Sequence, residues 1–262
     1  MSEAISENAG PAPSSETIEL LRNRVSVRQY RDEPVDEALV EAVLGAAFRA
    51  PTSSNIQSYS VVVVRDPETL RRLSVVAGGQ PHVAAAPVFL AFCTDLTRIE
   101  HTLVERGHAI DDNNLEVGLV SSIDAALVGM SAYLAAESLG LRGVLIGAVR
   151  NDAVESARIL GLPHRAYCVF GMCLGWPAEA PVQKSRMDYD HIVHYERHGE
   201  QRGGNDVAGA VRAYDAALAR HYPEVGKATT PDSWSHDMDA KFHPQLRDNL
   251  RRELAELGFD FR

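Results

Sequence analysis

Arg24, Ser26 and Arg28 occupy alternate positions in the stretch RNRVSVRQYRDEPV. An extended segment turns every second side chain to the same face, so two guanidiniums and a hydroxyl would point at one spot. That set suits a doubly charged phosphate better than a metal or a nucleophilic reaction, because guanidinium donors match phosphate oxygens. Far downstream, Lys184 and Arg186 in QKSRMDYD repeat the i, i+2 cationic spacing. The two pairs read as opposite jaws of one phosphomonoester site. A second polar cluster, APTSSNIQSYS, fills positions 50–60. Taken alone, each arginine is an ordinary solvated surface residue, so the reading depends on what the rest of the chain builds around it.

The chain has 262 residues and a formal net charge of −10. It is long enough to bury a large core. The acidic balance argues against general nucleic-acid binding, which needs a basic face, and makes any local basic cluster informative. No stretch holds about 18 uncharged apolar residues, so no membrane span is expected. Residues 1–14 are polar and acidic, lack a signal-peptide core, and read as a flexible tail before a single domain over 15–262. Cys93, Cys168 and Cys173 lie in apolar runs without CxxC spacing. They read as core thiols in a reducing cytoplasm, not as a disulfide framework or a zinc site.

Periodicity predicts short helices over 17–23 and, with Asp36 as N-cap and Pro51 as stop, over 37–50. Strands are predicted over 60–64, 88–93, 143–149 and 166–174, with helices over 67–76 and 151–160 between them. Asn151 would cap the second of these helices and Gly161 close it. Residues 114–139 read as one helix about 38 Å long, apolar on almost every side. Such a helix is either the central core element or packs against a second copy of the chain. A helical extension over about 206–262 ends the chain, with helices at 206–221 and 244–257 and a loop, PEVGKATTPDSW, between them. Strands separated by helices indicate a layered α/β or α+β arrangement.

Other chemistries find less support. His191, His194 and His198 would share a helical face, but no carboxylate or cysteine completes a metal set, so they read as solvated. No G-x-G-x-x-G, G-x-x-x-x-G-K-[ST] or G-x-S-x-G occurs, which argues against a Rossmann site, a P-loop and a hydrolase elbow.

The order R-x-S-x-R, APTSSNIQ, AGGQPHVAAAPVFLAFCTD, ESLGLRGVLIGAVRN, GLPHRAYCVFGMCLGWP and QKSR resembles the nitroreductase superfamily, in particular its oxygen-insensitive NADPH nitroreductase and flavin reductase branch. The likeness runs from about residue 18 to the C-terminus. It implies an α+β three-layer sandwich, a mixed, mostly antiparallel sheet flanked by helices, and an intertwined homodimer with FMN at the interface. It also implies hydride transfer from NADPH or NADH through FMN to nitroaromatics, quinones or flavins, in ping-pong order within one open pocket.

Carried over residue by residue, the resemblance gives Arg24, Ser26 and Arg28, with Lys184 and Arg186, to the FMN phosphate. Gln80 would meet the flavin or its ribityl chain, and Thr52, Ser53, Ser54 and Asn55 would reach in from the partner subunit. The backbone amides of Ile146 and Gly147 would approach the ring edge, where glycine permits close contact. Arg247, on the final helix, would reach the substrate side, and Lys227 is the one cation left in a loop that elsewhere in the branch uses arginines for the coenzyme 2′-phosphate. The chain carries no obligatory acid or base of its own in this scheme. A flavin-binding carrier or redox sensor without turnover is the alternative, and a divergent flavin reaction on the same fold is a third possibility.

Overall fold

The structure is a computed structural model that describes residues 13–110, 114–200, 206–227, 233–244 and 246–261. The expected tail up to residue 12 and the middle of the coenzyme loop, 228–232, lie outside the described residues. Eleven helices are described: α1 (Glu16–Arg22), α2 (Glu37–Ala47), α3 (Pro67–Val76), α4 (Pro81–Ala84), α5 (Thr97–Glu105), α6 (Asn114–Ser138), α7 (Ala153–Leu160), α8 (Tyr189–Ile192), α9 (Val207–Glu224), α10 (Ser233–Phe242) and α11 (Leu250–Glu256). Four strands, β1 (Tyr59–Val64), β2 (Val88–Asp95), β3 (Arg142–Ile146) and β4 (Ala166–Gly175), form a sheet in the order β1-β2-β4-β3.

The sheet is the middle layer of three, and β2 shows why. All eight of its residues are buried, as a strand covered on both faces requires. Val88, Leu90 and Phe92 turn towards α2 and α6, packing with Val40, Val43, Val128, Ala132 and Tyr133. Phe89, Ala91 and Cys93 turn the other way, into a core shared with Leu70 and Leu73 of α3. Period-two alternation of uniformly apolar residues therefore feeds two cores. A bulge between Phe92 and Cys93 shifts the register against β4, so that Phe92 faces Phe170 while Cys93 faces Cys168. Gly129 lets α6 lie close on the sheet, because a Cβ there would stand 2.3 Å from Phe170 Cζ.

The helix α6 is long and apolar enough to cross a membrane, with a mean hydropathy of 1.5. Its inner face is nevertheless core, since Ala125, Val128, Ala132, Tyr133 and Ala136 are buried. Its outer face carries Leu115, Leu119, Ile123 and Leu127, each between 39% and 50% exposed. These four follow i, i+4 spacing, so they form one continuous apolar stripe.

Several expectations need correction. All three strand pairings are antiparallel, so the sheet within the described residues is not mixed. The strand expected over 143–149 stops at Ile146, and the chain tightens into a 3-10 turn, Gly147–Asn151. The cap of α7 is then Asp152, not Asn151, its carboxylate accepting from Glu155 N at 2.8 Å. The expected loop 223–234 is helical at both ends, since α9 runs on to Glu224 and α10 starts at Ser233, and the first turn of α10 donates to the buried Asp215 carboxylate from Trp234 N (2.7 Å) and Ser235 N (2.8 Å). The last helix begins at Leu250, which leaves Arg247 in a preceding turn with φ +54°. The three histidines share no helix, because α8 ends at Ile192, and no metal-holding group occurs among the described residues.

Candidate functional site

The first jaw is an extended segment laid along the sheet edge. Val27 N donates to Gly143 O at 3.0 Å, Arg31 N to Trp176 O at 2.9 Å, and Ala178 N to Gln29 O at 2.9 Å. Val27 turns inward and is buried. Around it Arg24, Ser26 and Arg28, together with Val25 and Gln29, line an open cavity of about 590 Å³. Tyr133, buried on α6, holds this segment from below. Its hydroxyl lies 3.0 Å from Val25 O and 2.8 Å from Gly143 O, and accepts from Arg24 Nη1 at 3.3 Å.

The second jaw comes from residues 179–186 and lines the same cavity through Lys184 and Arg186. Two side chains that the sequence reading passed over fasten the jaws together. Gln183 Nε2 donates to Arg22 O at 2.6 Å and to Arg24 O at 3.1 Å. Glu179 Oε1 accepts from Arg28 N at 2.7 Å and Gln29 N at 3.2 Å. From α9, Tyr214 Oη donates to Ser185 O at 3.0 Å. Lys227 completes the lining, so five cations surround the space with Glu179 as the one carboxylate among its lining residues. Burial, then the charges of Lys227 and Arg28, hold the Lys184 ammonium below its ordinary range. His221, buried on α9, also lines the cavity, and its Nε2 has no partner among the described residues.

A second group of expected residues gathers at the ends of β3 and α3. Gly78 and Gly79 take φ of +79° and +75°, a turn that only glycine enters freely, and deliver Gln80 to the start of α4. Ser74 Oγ donates to Gln80 O at 2.7 Å and fixes that turn. Burial and the nearby Arg28 charge lower His82 on the same helix, which puts this turn within electrostatic reach of the first jaw. Asn151 joins the parts: its Nδ2 donates to Val76 O at 3.3 Å, and its Oδ1 accepts from Arg247 Nε at 3.0 Å. Burial, then the Arg150 charge, pulls Arg247 below its usual value. Gly147 opens the intervening turn, and a Cβ there would meet only the Arg150 guanidinium at 3.4 Å. Nothing inside the chain therefore demands glycine at 147, and Ile146 keeps its side chain in the core.

Thr52, Ser53, Ser54 and Asn55 are not brought to the cationic cavity within one chain. They form a 3-10 turn, Ser53–Asn55, in which Ser54 and Asn55 have φ of +47° and +58°. Strained non-glycine residues of this kind persist only where surroundings over-determine them. Here the determinant is Asp124, 1% exposed on α6. It accepts from Ser53 N at 3.0 Å, Ser58 N at 3.4 Å and Ser58 Oγ at 3.1 Å. A carboxylate inside an apolar helix was its only trace in the sequence.

Residues 21–176 match the Nitroreductase family, and residues 184–262 match the Nitroreductase family, C-terminal domain. The oxygen-insensitive NADPH nitroreductase of Salmonella typhimurium is 37% identical over 245 residues, covering 92% of each chain. An FMN reductase [NAD(P)H] of Bacillus subtilis is 33% identical over 248 residues, covering 94% of this chain and 98% of its own. Among solved structures, B. megaterium NfrA2 superposes with a TM-score of 0.89 at 29% identity, over 95% of this chain and 100% of its own. The NADPH:FMN oxidoreductase of Vibrio harveyi, complexed with NAD+, superposes with a TM-score of 0.83 at 29% identity, over 95% of this chain and 100% of its own. The six-segment order, the two-jawed cationic cavity and these matches agree, and the chain belongs to the nitroreductase family.

Proposed function

We propose that this chain is an FMN-dependent NAD(P)H oxidoreductase that reduces nitroaromatics, quinones or flavins by a ping-pong mechanism. The observation that carries the reading is the convergence of Arg24, Ser26 and Arg28 with Lys184 and Arg186 around one cavity in an otherwise acidic chain. The fit to FMN is chemical: a phosphomonoester of charge about −2 needs several cationic donors, and this cavity supplies them. The ring would then extend towards Gln80 and the Ile146–Gly147 backbone, where glycine leaves room for close approach. FMN, when bound, supplies the redox chemistry, accepting a hydride from a reduced nicotinamide and delivering it to an acceptor in separate half-reactions. The protein's own contribution is to grip the phosphate, orient the ring and keep an open face for coenzyme and acceptor in turn. Lys227 would meet the coenzyme phosphate of NADPH or NADH, and Arg247 would steer a nitro or carboxylate group of the acceptor.

The reading includes a homodimer built as one domain over residues 15–262 with its C-terminal helical extension. The exposed apolar stripe on α6, with Phe48 at 49% and Ile56 at 40% exposure beside the Asp124-anchored turn, favours burial against a second copy. Such packing would carry Thr52, Ser53, Ser54 and Asn55 to the partner's flavin.

The test is a visible spectrum of the purified protein with identification of the released chromophore, followed by steady-state oxidation of NADPH and NADH with a quinone or a nitrofuran. Yellow protein releasing FMN and acceptor-dependent turnover are expected. Colourless protein that refuses added FMN overturns the reading, and bound FMN without turnover favours a carrier or redox sensor.

A further inference from the structure

Tyr222, near the end of α9, is 6% exposed, and two ammonium groups share its ring. Lys184 Nζ lies 5.7 Å from the ring centroid and Lys227 Nζ lies 5.4 Å from it. The phenol donates to the Asp237 carboxylate on α10. That bond, then burial, raises its pKa to about 12, so the hydroxyl keeps its proton. The two lysines come from different parts of the chain, one from the second jaw and one from the loop after α9.

The cavity poses a physical problem that this ring answers. Lys184 stands among the like charges of Lys227, Arg28 and Arg186, which push its ammonium towards solvent and which the attraction of Asp237 opposes only in part. A carboxylate partner would hold it in place, but would also neutralise the charge and occupy the N–H donors that an incoming phosphate needs. An aromatic face attracts an ammonium through its quadrupole and leaves the three N–H groups free. The carboxylate that is near, on Asp237, takes the phenol hydrogen bond instead, which draws electron density towards the ring.

We propose that Tyr222 is a positioning residue of the phosphate cavity: its ring holds the Lys184 ammonium towards the cofactor phosphate and ties Lys227 to the same anchor. One side chain then sets both the cofactor-phosphate cation and the cation of the coenzyme loop. The proposal rests on the reading of the cavity as the FMN phosphate site.

The test titrates full-length apoprotein with FMN and, in parallel, with riboflavin, which has the same ring and no phosphate. Tyr222→Phe is the reference, and phenylalanines bearing one to four fluorines at position 222 keep the shape while erasing the quadrupole. The FMN dissociation constant should rise stepwise, about fivefold across the series, while that of riboflavin stays constant. Tyr222→Leu should act in the same direction, by about tenfold. An FMN affinity indifferent to fluorination, or a riboflavin affinity that falls in step with it, overturns the proposal. Wild-type apoprotein that takes up neither flavin overturns the cofactor reading as well, so the two failures are distinct.

Discussion

Replacing both Arg28 and Arg186 by Ala separates the grip on the phosphate from the stability of the fold. Arg28 enters the fold through its backbone, whose N–H donates to Glu179. Among the described residues, Arg186 donates to neighbouring carbonyls, Lys184 O at 3.2 Å and Ser185 O at 3.1 Å. Both residues are exposed, so the double substitution should change stability by no more than about 1 kcal/mol. Each guanidinium would lose a charge-assisted hydrogen bond to phosphate, worth about 1.5–3 kcal/mol. The pair therefore removes about 3–6 kcal/mol, and the FMN dissociation constant rises about a hundred- to ten-thousand-fold. Flavin content after purification, fluorescence titration of the apoprotein and a urea unfolding curve are the measurements. The expected result is apoprotein with an unchanged unfolding midpoint and an unchanged affinity for riboflavin. Stoichiometric FMN in the double variant would refute the phosphate assignment, and a matching loss of riboflavin affinity would show that the jaws act on something other than the phosphate.

Three further outcomes follow from buried groups. Asp124→Asn keeps one acceptor and should cost about 1–2 kcal/mol, whereas Asp124→Ala leaves the buried Ser58 donors unpaired and should cost about 3 kcal/mol; equal urea midpoints for the two variants would contradict the anchoring role. Burial, opposed by Arg142, raises the Glu137 carboxyl above its ordinary 4.5. The folded chain thus holds that proton more tightly than the unfolded one, and the wild type loses this contribution as pH rises from about 4.5 through the folded value. Glu137→Gln should accordingly gain in relative Tm between about pH 4 and about pH 8, and a difference that stays flat with pH would count against it. Finally, Cys93, Cys168 and Cys173 are buried, and burial pushes the Cys173 thiol up to about 12. An aromatic disulfide reagent should label none of them in the folded protein and all three after unfolding; rapid labelling of the native chain would show the core to be open.

The two cationic jaws were legible in part: Arg24, Ser26 and Arg28 line one cavity, as alternation in an extended segment suggests, but Val25 and Gln29 between and beside them line it too. The layers were legible for a similar reason, since uniform apolarity in 88–93 and 166–174 marks strands covered on both sides. What fastens the parts was not. Gln183, Glu179 and Asp124 act on backbone groups distant in sequence, and a lone glutamine or carboxylate carries no periodic signature. Asn151 shows the same limit, because a residue of cap type beside a predicted helix reads as a cap, while its actual partners are Val76 O and Arg247. The boundary errors at Ile146 and Leu250 arose where apolar or helical propensity continued past a turn that tertiary contacts impose.

The grip described above is shared between the opening and closing thirds of the polypeptide, with Gln183 clipped to the carbonyls of Arg22 and Arg24. On the proposed reading, a chain that ends before Lys184 and Arg186 lacks one jaw and has no complete place to lodge the nucleotide. Once seated, the vitamin-derived group acts as a staple across a very long loop, and by mass action it resists every excursion that parts the two ends. Loss of the flavin should therefore be felt first where the jaws meet, around residues 22–29 and 179–186, ahead of any disturbance in the central sheet.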